Sequence, residues 1–214
     1  MNTNIIIGKR AAFGLAGVAI VLRMASDWFF PNGGPLYYQA IQAGLLLLAI
    51  LLLWRQLKTI FLTGGDVKRS VREGLLAIPF GIVGGLAIAW VRFGGPQWPT
   101  LVQAAALIGN NLFFPVVEEL EFRGFFLSWM LEKRVSPGYA VWLVAGIHLL
   151  AHIHLFWQHN YLMAAVTLGV FVWYGFITVR TRSLWGALIA HAGVNIFGFL
   201  PSAGSGTDIM RANR

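Results

Sequence analysis

Residues 45–53 read LLLLAILLL, and this uninterrupted apolar run decides the fold class. The strands of a membrane β-barrel alternate apolar and polar side chains, which this run does not. A helix satisfies its backbone hydrogen bonds within one segment, as the lipid interior requires. The run therefore predicts a membrane-spanning α-helix within the wider apolar segment 36–54.

The rest of the chain has the composition of a protein that is solvated largely by lipid. Of its 214 residues, 57% are hydrophobic and 11% are charged, whereas soluble domains carry about 25% charged residues. Because one crossing takes about 20 residues, the sequence predicts an all-α, polytopic transmembrane helix bundle of about seven helices in a single domain, residues 1–214. The segments are 11–30, 36–54, 74–91, 101–131, 138–157, 161–179 and 183–200, followed by a polar tail at 202–214. The fourth segment is interpreted as one long helix, which places its charged residues at the depth of the polar residues on later helices.

Basic residues between these segments sort onto one side of the membrane. The side that holds the N-terminus has Lys9, Arg10, Arg55, Lys58, Lys68, Arg69, Arg72, Lys133, Arg134, Arg180 and Arg182, and the other side has Arg92, Arg211 and Arg214. Cytoplasmic loops are enriched in lysine and arginine. We therefore expect an integral, multi-pass protein of the cell membrane with a cytoplasmic N-terminus. The net charge of +8 then reflects these loops and contact with the lipid bilayer, rather than a nucleic-acid partner.

Charged residues also occur inside the apolar segments, where they are costly and mark functional sites. Arg23 and Asp27 are spaced i, i+4 and are predicted to pair, as are Glu119 and Arg123. Glu118 is left without such a cation, and a carboxylate of this kind suits a general base or acid. An alternative interpretation places these acids in a cytoplasmic loop. The sequence contains no cysteine, which excludes a thiol nucleophile.

Two polar groups lie on the fifth and seventh segments. His148 and His152 are spaced i, i+4 and share a helix face, whereas His154 falls on a different face. His191 and Asn195 repeat the i, i+4 spacing among small residues that allow helices to approach closely. Each group alone is also consistent with a structural hydrogen bond between helices. Together with the acids, they predict one buried polar cavity.

At these residues the sequence resembles the CAAX-protease and bacteriocin-processing (Abi) family of glutamic intramembrane proteases. The family motif Glu-Glu-x-x-x-Arg matches Glu118, Glu119 and Arg123, and the motif His-x-x-x-Asn matches His191 and Asn195. The resemblance covers about residues 105–200, and the three N-terminal segments add only hydrophobicity to it.

The remaining family motif, Phe-x-x-x-His, is matched in part. The resemblance places its histidine at His152, although His148 then occupies the phenylalanine position. His148 and His154 are the alternatives for the motif histidine.

The resemblance implies hydrolysis of a peptide bond in a membrane-anchored protein or peptide. Glu118 with His152 would activate a water, and the His-x-x-x-Asn motif would donate hydrogen bonds to the oxyanion. Glu119 and Arg123 would hold the geometry of the site. Such a mechanism needs no cofactor, and zinc held by two histidines and a glutamate is the less favoured alternative.

Three other functions fit the same residues. A non-catalytic scaffold or immunity protein would use the charges only to bind. A haem protein would use histidines of two helices as axial ligands. A proton-coupled transporter would use membrane glutamates and histidines as a relay.

Overall fold

The computed structural model describes residues 3–30 and 36–205, with side chains for 7–30 and 37–205, and contains no strand in these ranges. The α-helices are α1 Thr3–Phe29, α2 Leu36–Leu52, α3 Val67–Leu75, α4 Ile78–Phe93, α5 Leu101–Glu119, α6 Ser128–Glu132, α7 Pro137–Leu150, α8 His154–Trp157, α9 Tyr161–Thr181 and α10 Trp185–Phe199. A π-helical segment, Leu120–Leu127, joins α5 to α6, and 3-10 helices span Trp54–Ile60 and Leu200–Ser205. The predicted all-α fold is confirmed.

Every predicted apolar segment contains a helix, but fewer than seven are long enough to span a bilayer. Within the described ranges, five stretches are long and apolar enough: Ile7–Phe29, Val67–Phe93, Leu101–Glu132, Tyr161–Thr181 and Trp185–Ser205. Tyr37–Leu52 and Trp54–Ile60 meet at 107° and make a sixth if they form one broken span. Helix α7 has 14 residues, about 21 Å of helix, against a hydrocarbon core of about 30 Å. The chain is an integral, multi-pass membrane protein, and the count of seven is approximate.

The long fourth helix is present as predicted and covers Leu101–Glu132. Thr100 begins it with a capping box, in which its backbone N–H donates to Gln103 Oε1 at 2.8 Å. The winding changes to π-helical geometry directly after the two adjacent glutamates, and such π segments occur frequently at functional sites. Because the acids lie within this helix and are buried, the loop interpretation is wrong.

The fifth segment is not one helix, contrary to the sequence prediction. Helix α7 ends at Leu150, a turn covers residues 151–153, and α8 begins at His154. The expectation that His154 lies on a face away from His152 assumed a continuous helix and is wrong. The ring centroids of these two histidines are 5.8 Å apart.

Glycines allow α10 to pack closely against α3 and α4. A Cβ atom added at Gly81 of α4 would lie 2.8 Å from the Cα atom of Val194. Gly186, at the start of α10, donates its N–H to Ser70 Oγ of α3 at 2.8 Å. Small residues at such crossings let helix backbones approach, and this contact fixes the position of His191 on α10.

Segments that the basic residues assign to one side of the membrane lie together in the structure. Lys9 forms an ion pair with Glu132 at 2.8 Å, and Asp66 donates its N–H to the carbonyl of Thr181 at 2.7 Å. The orientation of the bundle across the membrane stays a prediction. The first residues of the predicted tail, 202–205, belong to the last 3-10 helix, whereas residues 206–214 lie outside the described ranges.

Candidate active site

The π-helical segment and the end of α5 carry a cluster of charged side chains inside the bundle. Glu118 is 5% exposed, and Glu119 and Arg123 are fully buried. Helix α7 adds His148, which is fully buried, and α10 adds His191, which is 4% exposed. Buried charges are stable only where they are paired, so the contacts of each group define what the cluster does.

Arg123 connects three helices through its guanidinium group. Its Nη1 donates to Glu119 Oε1 at 3.0 Å, which is the ion pair predicted from the i, i+4 spacing. The same nitrogen lies 2.6 Å from His148 Nδ1, and Nη2 donates to the carbonyl of Phe171 on α9 at 2.9 Å. Arg123 therefore holds α7 and α9 against the helix that carries the acids.

His148 is held in one tautomer and one orientation by its neighbours. Because a guanidinium has no acceptor, His148 Nδ1 accepts the N–H of Arg123 and the ring proton lies on Nε2. That Nε2 donates to Glu118 Oε2 at 3.2 Å. The imidazole stacks between Phe122 and Phe171, with ring centroids 4.0 Å and 3.6 Å away. The structure thus gives this neutral histidine the direct contact with Glu118.

His191 lies between the two adjacent glutamates. Its Nδ1 is 2.8 Å from Glu119 Oε1, and because a carboxylate accepts, Nδ1 is the donor. Its Nε2 faces Glu118 Oε2 at 3.6 Å. The depth predicted from the sequence for His191 and the acids is therefore correct.

Glu118 has a cation of its own, which the sequence analysis did not expect. Nη2 of Arg23, on α1, donates to Glu118 Oε1. The predicted pair between Arg23 and Asp27 is also present, with Nε donating to Oδ2 at 2.9 Å. No local spacing connects residues 95 positions apart; the only signal was that an arginine lies within an apolar segment.

Two of the predicted site residues lie at the edge of the cluster. His152 is half-buried, and its Nδ1 donates to the carbonyl of His148 at 3.2 Å. One ligand atom each from Glu118, His148 and His152 lie within 4.8 Å of one another, so these three residues form a possible metal site. Asn195 is half-buried on α10, and among the described residues the structure records no hydrogen bond from its side chain.

A third buried acid, Glu121, has a partner that the sequence analysis missed. Its Oε1 accepts from Gln42 Nε2 of α2 at 2.6 Å, and both side chains are buried. The available signal was a polar residue, Gln42, in a largely apolar helix.

Residues 96–197 match the family described as type II CAAX prenyl endopeptidase Rce1-like, which indicates a protease. The resemblance to CAAX proteases is thereby confirmed. No curated protein and no solved structure matches the chain. Helices α1 and α2, which supply Arg23 and Gln42, lie outside the matched region.

Proposed function

We propose that this protein is an endopeptidase that hydrolyses a peptide bond in a membrane-associated protein or peptide, with Glu118 as the general base that activates a water. The observation that carries the proposal is the environment of Glu118 Oε2, which lies 3.2 Å from Nε2 of His148 and 3.6 Å from Nε2 of His191. A general base must lie within hydrogen-bonding reach of the proton that it removes. A water beside Oε2 would contact the carboxylate and an imidazole together.

The proposed reaction needs only water as the second reactant. Glu118 takes one proton from the water while the water oxygen forms a bond to the carbonyl carbon of the substrate. The carbonyl oxygen becomes a tetrahedral oxyanion. When the C–N bond breaks, Glu118 gives the proton to the leaving amine and returns to its ionised form.

The stabilisation of the oxyanion is assigned to the His-x-x-x-Asn motif, His191 and Asn195. His191 donates through Nδ1 to Glu119, so its Nε2 is the nitrogen that faces the reacting atoms, and in this role the ring carries both protons. Asn195 lies one turn later on the same helix, and its amide has no recorded partner in the described structure that would compete with substrate. One such donor contributes about 10²–10³ in rate.

The other motif residues support this arrangement. Glu119 orients His191, and Arg123 fixes Glu119 together with His148. The resemblance assigned the motif histidine to His152; the contacts with Glu118 favour His148 for direct hydrogen bonding to the base. His152 stays a candidate for contact with the water or the leaving group, because it lies within the same 4.8 Å group.

We favour a reaction without a cofactor. The three residues that could hold zinc, Glu118, His148 and His152, suit an open catalytic site with a position left for water. However, Arg23 contacts the first of these and Arg123 lies 2.6 Å from the second. Two guanidinium charges so close oppose the binding of another cation.

The substrate class proposed is a prenylated C-terminal CAAX peptide, because the matched family is described as a CAAX prenyl endopeptidase. Bacteriocin leader peptides and C-terminal membrane anchors are the other substrates to test. All three would reach the site from the lipid bilayer.

The experiment is a cleavage assay with the purified protein in liposomes and a panel of these three peptide classes, with products read by mass spectrometry. We expect the wild type to cleave a prenylated peptide, and this activity to survive addition of a chelator. His191→Ala should lower the cleavage rate by about 10²–10³. His159→Ala, which changes an exposed histidine, is the matched control. Loss of cleavage on chelation would indicate that the cluster binds a metal ion that the reaction requires. A folded protein that cleaves none of the panel would contradict the proposal and favour the scaffold or transporter.

Haem ligation through His148, one of the two histidines considered on the fifth segment, is opposed by the geometry of its ring. Both ring nitrogens are engaged, one with Arg123 and the other with Glu118. The ring is also stacked on both faces by aromatic side chains, so an axial ligand nitrogen is not free. A colourless purified protein is the expected result.

A further inference from the structure

We propose that Arg23 of α1 is a positioning residue that orients the carboxylate of Glu118 for catalysis. Its contact with Oε1 leaves Oε2 as the oxygen that faces the two histidines. The inference rests on the proposed role of Glu118 as the base, and it assigns a role in the reaction to a helix outside the family-matched region.

The guanidinium of Arg23 is itself held in place at two edges. Nη2 donates to Glu118 Oε1, while Nε donates to Asp27 Oδ2 at 2.9 Å. The side chains of Arg23 and Asp27 are 15% and 25% exposed, so they lie at the margin of the buried cluster. Because a guanidinium is planar and its N–H groups point in fixed directions, Asp27 sets the orientation of Arg23, and Arg23 sets that of Glu118.

The carboxylate of Glu118 needs such a contact because the terminal torsion of a glutamate is broad. Glu119 is fixed by Arg123 at 3.0 Å and by His191 at 2.8 Å. Among the described residues, Arg23 is the one arginine or lysine whose side chain lies within 4.0 Å of the Glu118 carboxylate. His148 Nε2 holds the other oxygen, Oε2, at 3.2 Å. Without Arg23, the plane of the carboxylate would rotate about this one contact, and Oε2 would lose its defined direction towards the water.

A role in holding α1 against the bundle is the alternative, and other contacts already do this. Lys9 pairs with Glu132 at 2.8 Å. Phe13 packs edge-on against Phe125 with ring centroids 5.6 Å apart. Substitution of Arg23 removes neither contact, so the bundle is expected to stay assembled while the base loses its orientation.

The test compares steady-state kinetics in liposomes on the peptide that the wild type cleaves. Arg23→Gln is expected to lower kcat by about 10–100-fold and to change KM by less than about threefold, because orientation acts on the reacting geometry. Arg23→Lys should recover only part of kcat, because an ammonium lacks the planar pair of N–H groups. Guanidinium ion at millimolar concentration should restore part of the kcat of Arg23→Ala. Asp27→Asn should show a smaller loss than Arg23→Gln.

The control is Arg10→Gln, which removes an exposed positive charge from the same helix and should leave kcat unchanged. Glu118→Gln separates the two proposals. If it is inactive while Arg23→Gln keeps the wild-type kcat, the positioning role is wrong and the proposed function stands. If Glu118→Gln is active, the proposed function fails and the positioning role fails with it. Loss of kcat in Arg23→Gln that only tracks the folded fraction, without guanidinium rescue of Arg23→Ala, would also overturn the inference.

Discussion

The family-matched region, residues 96–197, and the two N-terminal helices partner the buried acids in different ways. Within the matched region, Glu119 pairs with Arg123 one turn later on the same helix. Glu118 contacts His148 and His191 of the same region but takes its arginine from α1, and Glu121 takes a glutamine of α2. The motif thus carries the acids, while part of what compensates them comes from helices that no motif describes. Substitutions in both regions test how far this division extends.

The largest effect on stability is expected inside the matched region, at Arg123. Arg123→Met removes the cation from Glu119 and leaves a buried carboxylate uncompensated, which costs about 3–5 kcal/mol. The measurement is the free energy of unfolding in mixed detergent micelles. Arg92→Met, at an exposed position, is the control and should change little.

A double variant sharpens this prediction. If the loss comes from the unpaired carboxylate, Glu119→Gln combined with Arg123→Met should be less destabilised than the sum of the single variants. Strict additivity would mean that the two side chains act independently, which would contradict an energetic role for their ion pair at 3.0 Å.

The two histidines of the matched region are expected to differ in their effect on catalysis. His148→Ala removes the donor to Glu118 and should lower kcat by about 10²-fold, whereas His152→Ala should lower it by about 10-fold or less. Initial rates at saturating peptide measure both. The reverse order would assign the motif histidine to His152, as the resemblance alone implied.

The smallest effect is expected in the N-terminal helices, at Gln42. Gln42→Leu leaves Glu121 without its donor at 2.6 Å. This should lower the free energy of unfolding by about 1–3 kcal/mol and leave kcat within about threefold of the wild-type value. Gln39→Leu, on the same helix and half-buried, is the control. Adding Glu121→Leu to Gln42→Leu should recover most of the loss, because replacing both partners by apolar groups is nearly neutral. No recovery would mean that Glu121 has another role.

Local spacing predicted the parts of the site that lie within one helix. The Glu119–Arg123 and Arg23–Asp27 pairs follow from the i, i+4 geometry of an α-helix, and both are present. The placement of the acids at the depth of His191 followed from treating the fourth segment as one long helix. These are properties of single segments, which periodicity can determine.

Contacts between distant helices could not be predicted in this way. The contact between Arg23 and Glu118 joins residues 95 positions apart, and that between Gln42 and Glu121 joins residues 79 apart. They depend on how the helices pack, which hydrophobic periodicity does not specify. The choice between His148 and His152 stays a prediction. It was made for a continuous helix, whereas α7 ends at Leu150, between the two residues.

The most direct test of the central claim is the rate at which Glu118→Gln cleaves the peptide that the wild type cleaves, measured in liposomes at equal folded protein. Glu132→Gln, which changes an exposed acid at the end of the same helical stretch, is measured beside it. The proposed mechanism predicts a loss of about 10²–10⁴ for Glu118→Gln and a wild-type rate for Glu132→Gln. A wild-type rate from Glu118→Gln would contradict the assignment of this carboxylate as the base.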